Sequence, residues 1–248
     1  MSPLQLLGLI GVFALARIAL SFRTVAAAGT TPSAAALVRE YLDAFIVAGL
    51  AALFLITFVI RTFFIPSTSM LPTLRVGDVL LVNEFSYRVG APHRGDIVVF
   101  TPPIVSPSSF IKRVIAVPGD TLRIDGGAVY VDGHKLREPY ISQPPQYRLQ
   151  VRDYGIYVDS GLGMEQLYPE EANVPPRKAW QAPDRIPNGY YFVMGDNRND
   201  SEDSHVWGFA QLHGHFASGP LAHTNVEASF TGRAFFLLWP FKRMRILN

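Results

Sequence analysis

The sequence predicts a mostly β protein, an antiparallel β-sheet body with a smaller inserted lobe, preceded by two N-terminal transmembrane helices. Three observations carry this. Two apolar stretches open the chain, Leu4 to Leu20 and Ala44 to Ile60. From Val79 onward the pattern changes to short runs of β-branched and aromatic residues bounded by Gly, Pro and Asp, the signature of strands. Between Pro139 and Pro187 the chain is rich in Pro, Tyr, Gln and charge without sustained periodicity, which marks an insertion.

The first stretch, within residues 1–22, contains Gln5 and Arg17, and Arg17 must snorkel to an interface if the segment crosses. A cleaved signal peptide is the alternative, because Ala26, Ala27 and Ala28 follow the apolar run. Yet no Lys or Arg precedes that run and Arg17 interrupts it, so a retained span in a membrane hairpin fits better. Residues 23–43 form a short loop bearing Arg23 and Arg39, which the positive-inside rule places in the cytoplasm; Glu40 and Asp43 dilute that charge. The second span, 44–62, opens with an uncharged run of about 17 residues, the lower limit for a hydrocarbon core. Phe63, Phe64 and Ile65 extend its apolar character past Arg61. Residues 63–248 then form a β-rich domain outside the cytoplasm, with the insertion near 139–188. Strands are expected at Val79 to Val82, Asp96 to Phe100, Ile111 to Val117, Thr121 to Ile124, Ala128 to Val131 and Tyr190 to Met194, with a tight hairpin at Gly126-Gly127.

Composition agrees and excludes several chemistries. Apolar residues make up 49% of the 248 and charged ones 17%, which is too apolar for an ordinary soluble enzyme. The net charge is +2 and the basic residues are scattered, so no nucleic-acid partner is expected. The chain has no cysteine, which removes thiol catalysis, thiolate zinc sites and disulfides but leaves the compartment open.

Three constellations carry candidate chemistry. The first is Pro66-Ser67-Thr68-Ser69-Met70-Leu71-Pro72-Thr73-Leu74, just beyond the second span. Its prolines hold the hydroxyls in an extended or turning segment, and by themselves these residues also read as a polar turn. The second is Phe110-Ile111-Lys112-Arg113-Val114-Ile115-Ala116-Val117-Pro118-Gly119-Asp120. On a strand, Lys112 shares a face with Phe110 and Val114 while Arg113 points the other way. Desolvation among apolar side chains would favour the neutral amine that a general base requires; a lysine snorkelling from a strand edge is the plainer alternative. The third runs from Gly195-Asp196-Asn197-Arg198-Asn199-Asp200-Ser201 through Glu202-Asp203-Ser204-His205-Val206-Trp207-Gly208. In it Asp196 could pair with Arg113, and Ser201 could orient the Lys112 amine.

Together these three boxes resemble the bacterial type I signal peptidases, in order, in spacing from the apolar segment and almost residue by residue. The resemblance covers the second span and most of the body, including Gly232-Arg233 and Trp239-Pro240 near the C-terminus. It implies a signal-peptidase-like β-sheet catalytic body on the extracytoplasmic side of the bacterial cytoplasmic membrane, in a multi-pass enzyme without metal or cofactor. The implied nucleophile is Ser69 and the implied general base Lys112. Ser67 serves the oxyanion with the Ser69 amide, Ser201 orients the lysine, and Arg113, Asp196 and Asp203 support them. Phe63, Ile65, Pro66, Met70, Leu74, Phe110 and Ile111 align with residues lining shallow pockets that select Ala-x-Ala. The implied partners are signal peptides of exported preproteins, the lipid bilayer and the secretion translocon.

The chain departs from the family pattern at several places. Thr68 replaces a glycine, Asn199-Asp200 reverses an Asp-Asn order, Phe110 stands for a tyrosine and His205 for an arginine, which puts the charge partner of Asp203 in question, with Arg198 as a substitute. Other readings weighed are a Ser-His-Asp triad using His205, His213, His215 or His223, a metal pair at His213 and His215, a Ser/Lys protease specialised for a pilus or conjugation protein or of the soluble repressor type, and a silent membrane-anchored binding module.

Overall fold

Short runs of β-branched and aromatic residues form the β body and longer apolar runs the helices. The computed structural model describes residues 3–22, 34–159, 161, 163–168, 171–216, 218–222 and 224–247, in two compact units, Met1–Arg61 and Thr62–Asn248.

In the first unit, α1 (Pro3–Phe22) and α2 (Ala34–Phe58) pack on one another. The Phe13 and Phe45 rings lie 5.6 Å apart, Arg17 Nε reaches Asp43 at 2.9 Å, and Gly49 admits Ile10 where a Cβ would come within 2.8 Å of it. Helix α2 begins ten residues before the expected span, takes in Arg39, Glu40 and Asp43, and stops at Phe58. Ile60–Phe64 is a strand instead of a helical extension. The apolar part of α2 after Asp43 therefore covers about 22 Å of rise, short of the roughly 30 Å of hydrocarbon. Among the described residues no helix is long and apolar enough to cross a membrane, so the spans expected at 1–22 and 44–62 are not met as drawn. The expected loop shortens too, since residues 34–43 are helical. Arg23 and Ala26 to Ala28 lie outside the described residues.

The second unit holds the strands. In chain order they are β1 (Ile60–Phe64, begun in the last residues of the first unit), β2 (Val79–Asn83), β3 (Ile97–Phe100), β4 (Phe110–Ala116), β5 (Leu122–Asp125), β6 (Ala128–Val131), β7 (His134–Lys135), β8 (Arg148–Arg152), β9 (Gly155–Asp159), β10 (Glu165–Gln166), β11 (Tyr190–Met194), β12 (Ala210–Gln211), β13 (His213–His215), β14 (Glu227–Trp239) and β15 (Arg245–Ile246). A nine-stranded sheet follows the order β1-β2-β14-β3-β4-β11-β12, with β13 and β15 also on β14; a six-stranded sheet follows β10-β9-β8-β5-β6-β7. The pairs β2–β14, β3–β14, β3–β4, β4–β11, β5–β6 and β8–β9 are antiparallel. Two short helices, α3 (Ser86–Val89) and α4 (Ser204–Trp207), complete the body.

The expected strands appear within a residue or two of their predicted ends. The β5–β6 hairpin turns at Gly126 (φ 55°) and Gly127 (φ 73°), the left-handed pair that a two-residue reversal requires. Two elements were not anticipated. The segment from Pro139 to Pro187 is not irregular: it supplies β8, β9 and β10, with Leu149 and Val151 buried between the exposed or half-buried Arg148, Gln150 and Arg152. Strand β14 is the longest, 13 residues, and lies between β2 and β3. Its buried positions alternate, Ala228, Phe230, Gly232 and Ala234, with Leu237 further on. Position 232 is glycine because β14 packs closely there: a Cβ on Gly232 would meet Asn83 O at 2.4 Å.

One apolar cluster joins the two sheets through Ile115, Leu122, Ile124, Leu149, Val151 and Phe192. Another lies beneath the first hydroxyl box. The loop carrying that box is closed by Ile65 N donating to Asp78 O (2.9 Å) and Gly77 N to Ile65 O (3.0 Å). Asp78 itself accepts from Arg75 N at 2.8 Å and pairs with Arg243 at 2.7 Å.

Candidate active site

Strand β4 presents Lys112 and Arg113 to opposite sides, as alternation requires. Opposite Lys112 on β3 stands Val98, and Lys112 Nζ lies 5.4 Å from the centroid of the Phe110 ring. The ammonium end is thus held among apolar groups, and Lys112 is 4% exposed. The Ser67–Ser69 loop brings its last hydroxyl to this point: Lys112 Nζ and Ser69 Oγ are 2.8 Å apart. Ser67 Oγ lies 3.3 Å from Ser69 Oγ. Among the described residues, no carboxylate forms an ion pair with Lys112. Burial pushes its pKa down from the ordinary lysine value, and the fields of Asp203 and Glu202 oppose this without reversing it.

The Gly195–Gly208 loop locks Ser69 from the other side. Asn197 N donates to Ser69 O at 3.0 Å, and Asn197 Nδ2 donates to Thr68 O at 3.2 Å. Thr68 Oγ1 donates to Asp200 Oδ2 at 2.8 Å. Gly195 is the closest approach: a Cβ there would fall 2.3 Å from both Ser69 O and Ser201 Oγ, so only glycine fits. The Gly195 amide donates to Asp203 Oδ2 at 2.9 Å.

Asp196 accepts from Arg113 Nε (2.8 Å) and Nη2 (2.9 Å) and from Thr73 Oγ1 (2.5 Å). Arg113 also donates to Gly95 O at 2.8 Å and stacks over the Tyr140 ring at 4.0 Å. The wholly buried Asp203 finds its partner in His205, whose Nδ1 lies 2.7 Å from Asp203 Oδ1. Burial would raise the Asp203 pKa, but the His205 contact and the Gly195 amide outweigh it and hold the carboxyl below its usual range. Arg198, considered as the substitute cation, pairs with Glu138 at 2.6 Å instead. Ser201 Oγ is buried beside Gly195 and faces Asp203, whose carboxyl it helps hold down; among the described residues no hydrogen bond joins it to Lys112.

A cleft of about 370 Å³ opens over the pair, lined by Pro66 to Ser69, Ser108 to Lys112, Asp200 and Glu202. Of the seven expected pocket residues, Pro66, Phe110 and Ile111 line it. Ile65, Met70 and Leu74 are at most 1% exposed and belong to the core behind, with Phe63 packed against that core. Their apolar character, which the pocket expectation used, serves packing. His213 and His215 sit exposed on β13, and His223 lies outside the described residues. No histidine among the described residues hydrogen-bonds Ser69. Three contributors escaped the sequence reading: Glu138, Tyr140 and Tyr147, all in or beside the insertion. Their partners are 27 to 60 positions away along the chain, a separation no local pattern encodes.

The family described as signal peptidase, peptidase S26, matches residues 38–239. The chain belongs to this family. Among its relatives, the probable signal peptidase I-1 of Synechocystis sp. is 41% identical over 185 residues, spanning 72% of this chain and 78% of that one. The signal peptidase I of Pseudomonas aeruginosa is 32% identical over 223 residues, 84% of this chain and 75% of that one. Membership makes the chain a serine protease of the signal peptidase I type. The Ser69–Lys112 cleft lies inside the matched region.

Proposed function

We propose that this signal peptidase I removes N-terminal signal peptides from exported preproteins after Ala-x-Ala-like sites, with Ser69 as nucleophile and neutral Lys112 as general base. The observation that carries the reading is the 2.8 Å contact between Ser69 Oγ and a lysine amine that is buried and free of carboxylate ion pairs among the described residues. The uncharged amine takes the hydroxyl proton as Oγ adds to the scissile carbonyl. The oxyanion would be received by the Ser69 amide N–H, which donates to no other group among the described residues, and by Ser67 Oγ, 3.3 Å from Ser69 Oγ. Collapse breaks the C–N bond while the protonated lysine returns its proton to the leaving amine. Water, deprotonated by the same amine, then hydrolyses the acyl-enzyme and frees Ser69. An extended peptide lying along the cleft would place alternate side chains against Pro66, Phe110 and Ile111.

The same proposal gives the helical unit the role of a multi-pass membrane anchor, with the translocon and lipid as neighbours and the β unit outside the cytoplasm. Neither described helix alone meets the length and apolarity of a span. The support is instead the surface of α1 and α2: Val12, Leu15, Phe45, Val47 and Phe54 are all more than half exposed, apolar area that water disfavours.

The test is cleavage of a precursor bearing an Ala-x-Ala site by purified protein in detergent. Wild type should cut after the second Ala, whereas Ser69→Ala and Lys112→Ala should not. Near-normal turnover by Lys112→Ala would end the Ser/Lys reading, and no cleavage by wild type in any lipid would favour a binding module.

A further inference from the structure

The loop from Glu138 to Tyr147 leaves the six-stranded sheet after β7 and rejoins it at β8, and along the way it touches the Gly195–Gly208 loop at three places. Asn199 Oδ1 accepts from Gln146 N at 2.9 Å while its Nδ2 donates to Pro144 O at 3.0 Å, so one side-chain amide ties both ends of a three-residue step. Arg198 Nη2 donates to Glu138 Oε1 at 2.6 Å while Arg198 Nε donates to Gly195 O at 3.1 Å. The His205 ring stacks on Tyr147, centroids 4.3 Å apart and planes 13° from parallel, while its Nδ1 meets Asp203.

These contacts converge. Arg198 holds the carbonyl of Gly195, and His205 holds Asp203, which holds the amide of the same Gly195. Gly195 packs directly on Ser69 O and Ser201. Glu138 and Arg198 are nearly or wholly buried, with side chains 6% and 0% exposed, so this route is shielded from the water that weakens surface ion pairs. We propose that the Glu138–Tyr147 strap is a positioning element for the Ser69 nucleophile, acting through Asn199, Arg198 and His205 on Gly195. The strap gives the inserted sheet a part in the reaction without contact to substrate. A nucleophile must be held to within a fraction of an ångström, and a loop held only at its ends does not achieve that.

The inference rests on Ser69 being the nucleophile, and its test separates the two ideas. Asn199 is exposed, so Asn199→Ala removes two tethers without opening the core. The full chain carrying it should lose about tenfold in kcat with KM within twofold. Tyr147→Ala should behave likewise. Tyr147→Phe should turn over like wild type, because the Tyr147 hydroxyl has no hydrogen-bond partner among the described residues and the stack needs only the ring. Hydrogen exchange at the Gly195 and Asn197 amides reads the same loosening without substrate, and both should exchange faster in Asn199→Ala. Unchanged exchange together with wild-type kcat per folded molecule in Asn199→Ala and Tyr147→Ala would overturn the strap. Retained cleavage by Ser69→Ala would instead overturn the nucleophile, and amide exchange would still decide the strap.

Discussion

Replacing Gly195 by alanine adds one methyl group at the point where the third box meets the first. The new Cβ would stand 2.3 Å from Ser69 O and from Ser201 Oγ and 2.6 Å from Ser201 Cβ, whereas real Cβ contacts essentially never fall below 3.0 Å. The Ser201 hydroxyl can rotate aside. Ser69 O cannot, because it belongs to the backbone and accepts from Asn197 N. About 0.7 Å of separation must therefore come from the Ser69 loop or from β11's end. A displacement near 1 Å at a reacting group costs on the order of 10²-fold, so a fall in kcat of about 10- to 100-fold is expected, with KM little changed. Overpacking should also lower stability by about 1–3 kcal/mol. Turnover of an Ala-x-Ala precursor gives the first quantity and urea unfolding the second. A folded Gly195→Ala enzyme with kcat within about twofold of wild type would refute the claim that this contact sets the nucleophile's position.

Four further outcomes follow from the same site. The double variant Ser69→Ala/Lys112→Ala should be no slower than either single one, because the two groups act as a unit; additive losses in a precursor-cleavage assay would contradict this. Activity should rise with pH through the lowered pKa of Lys112, since catalysis needs the neutral amine, and a pH–rate profile with an acidic limb at the free-lysine value would remove the desolvation argument. Between that lowered pKa and the unfolded value the unfolded chain binds more protons, so Lys112 costs stability at and below neutral pH, and the cost fades as pH rises toward 10.5. Lys112→Met should accordingly unfold at higher urea than wild type, with a gap that narrows at alkaline pH. Asp196→Ala removes the Asp196 carboxylate from the Arg113 side chain, 2% exposed, and should destabilise by about 3–5 kcal/mol; a loss under about 1 kcal/mol in chemical denaturation would show that the other partners of Arg113 suffice.

Local pattern was enough for much of this protein. Short runs of β-branched and aromatic residues located β2 to β6 and β11, paired glycines located the hairpin turn, and the three boxes identified Ser69, Lys112 and Asp196 as groups worth bringing together. The same logic did not distinguish Ile65, Met70 and Leu74, which are buried behind the cleft, from the residues that line it. An apolar residue next to a reactive one looks the same in a string of letters whether it lines a cleft or fills the core behind it. It left out β14, in which the buried Gly232 and Ala234 separate the buried apolar positions Phe230 and Leu237. It also overran α2, since an apolar run does not say where a helix gives way to a strand.

Residue types, their order and their short-range spacing were decided by the chain alone, and with them the family and the chemistry on offer. What waited for the tertiary structure was every relation across a long loop: the 2.8 Å approach of Ser69 to Lys112, the choice of His205 over Arg198 for Asp203, and the tethering of the third box by the inserted sheet. Those relations depend on which surfaces meet when the strands pair, and pairing between distant segments is set by burial and packing summed over the whole body, not by any neighbourhood of the sequence.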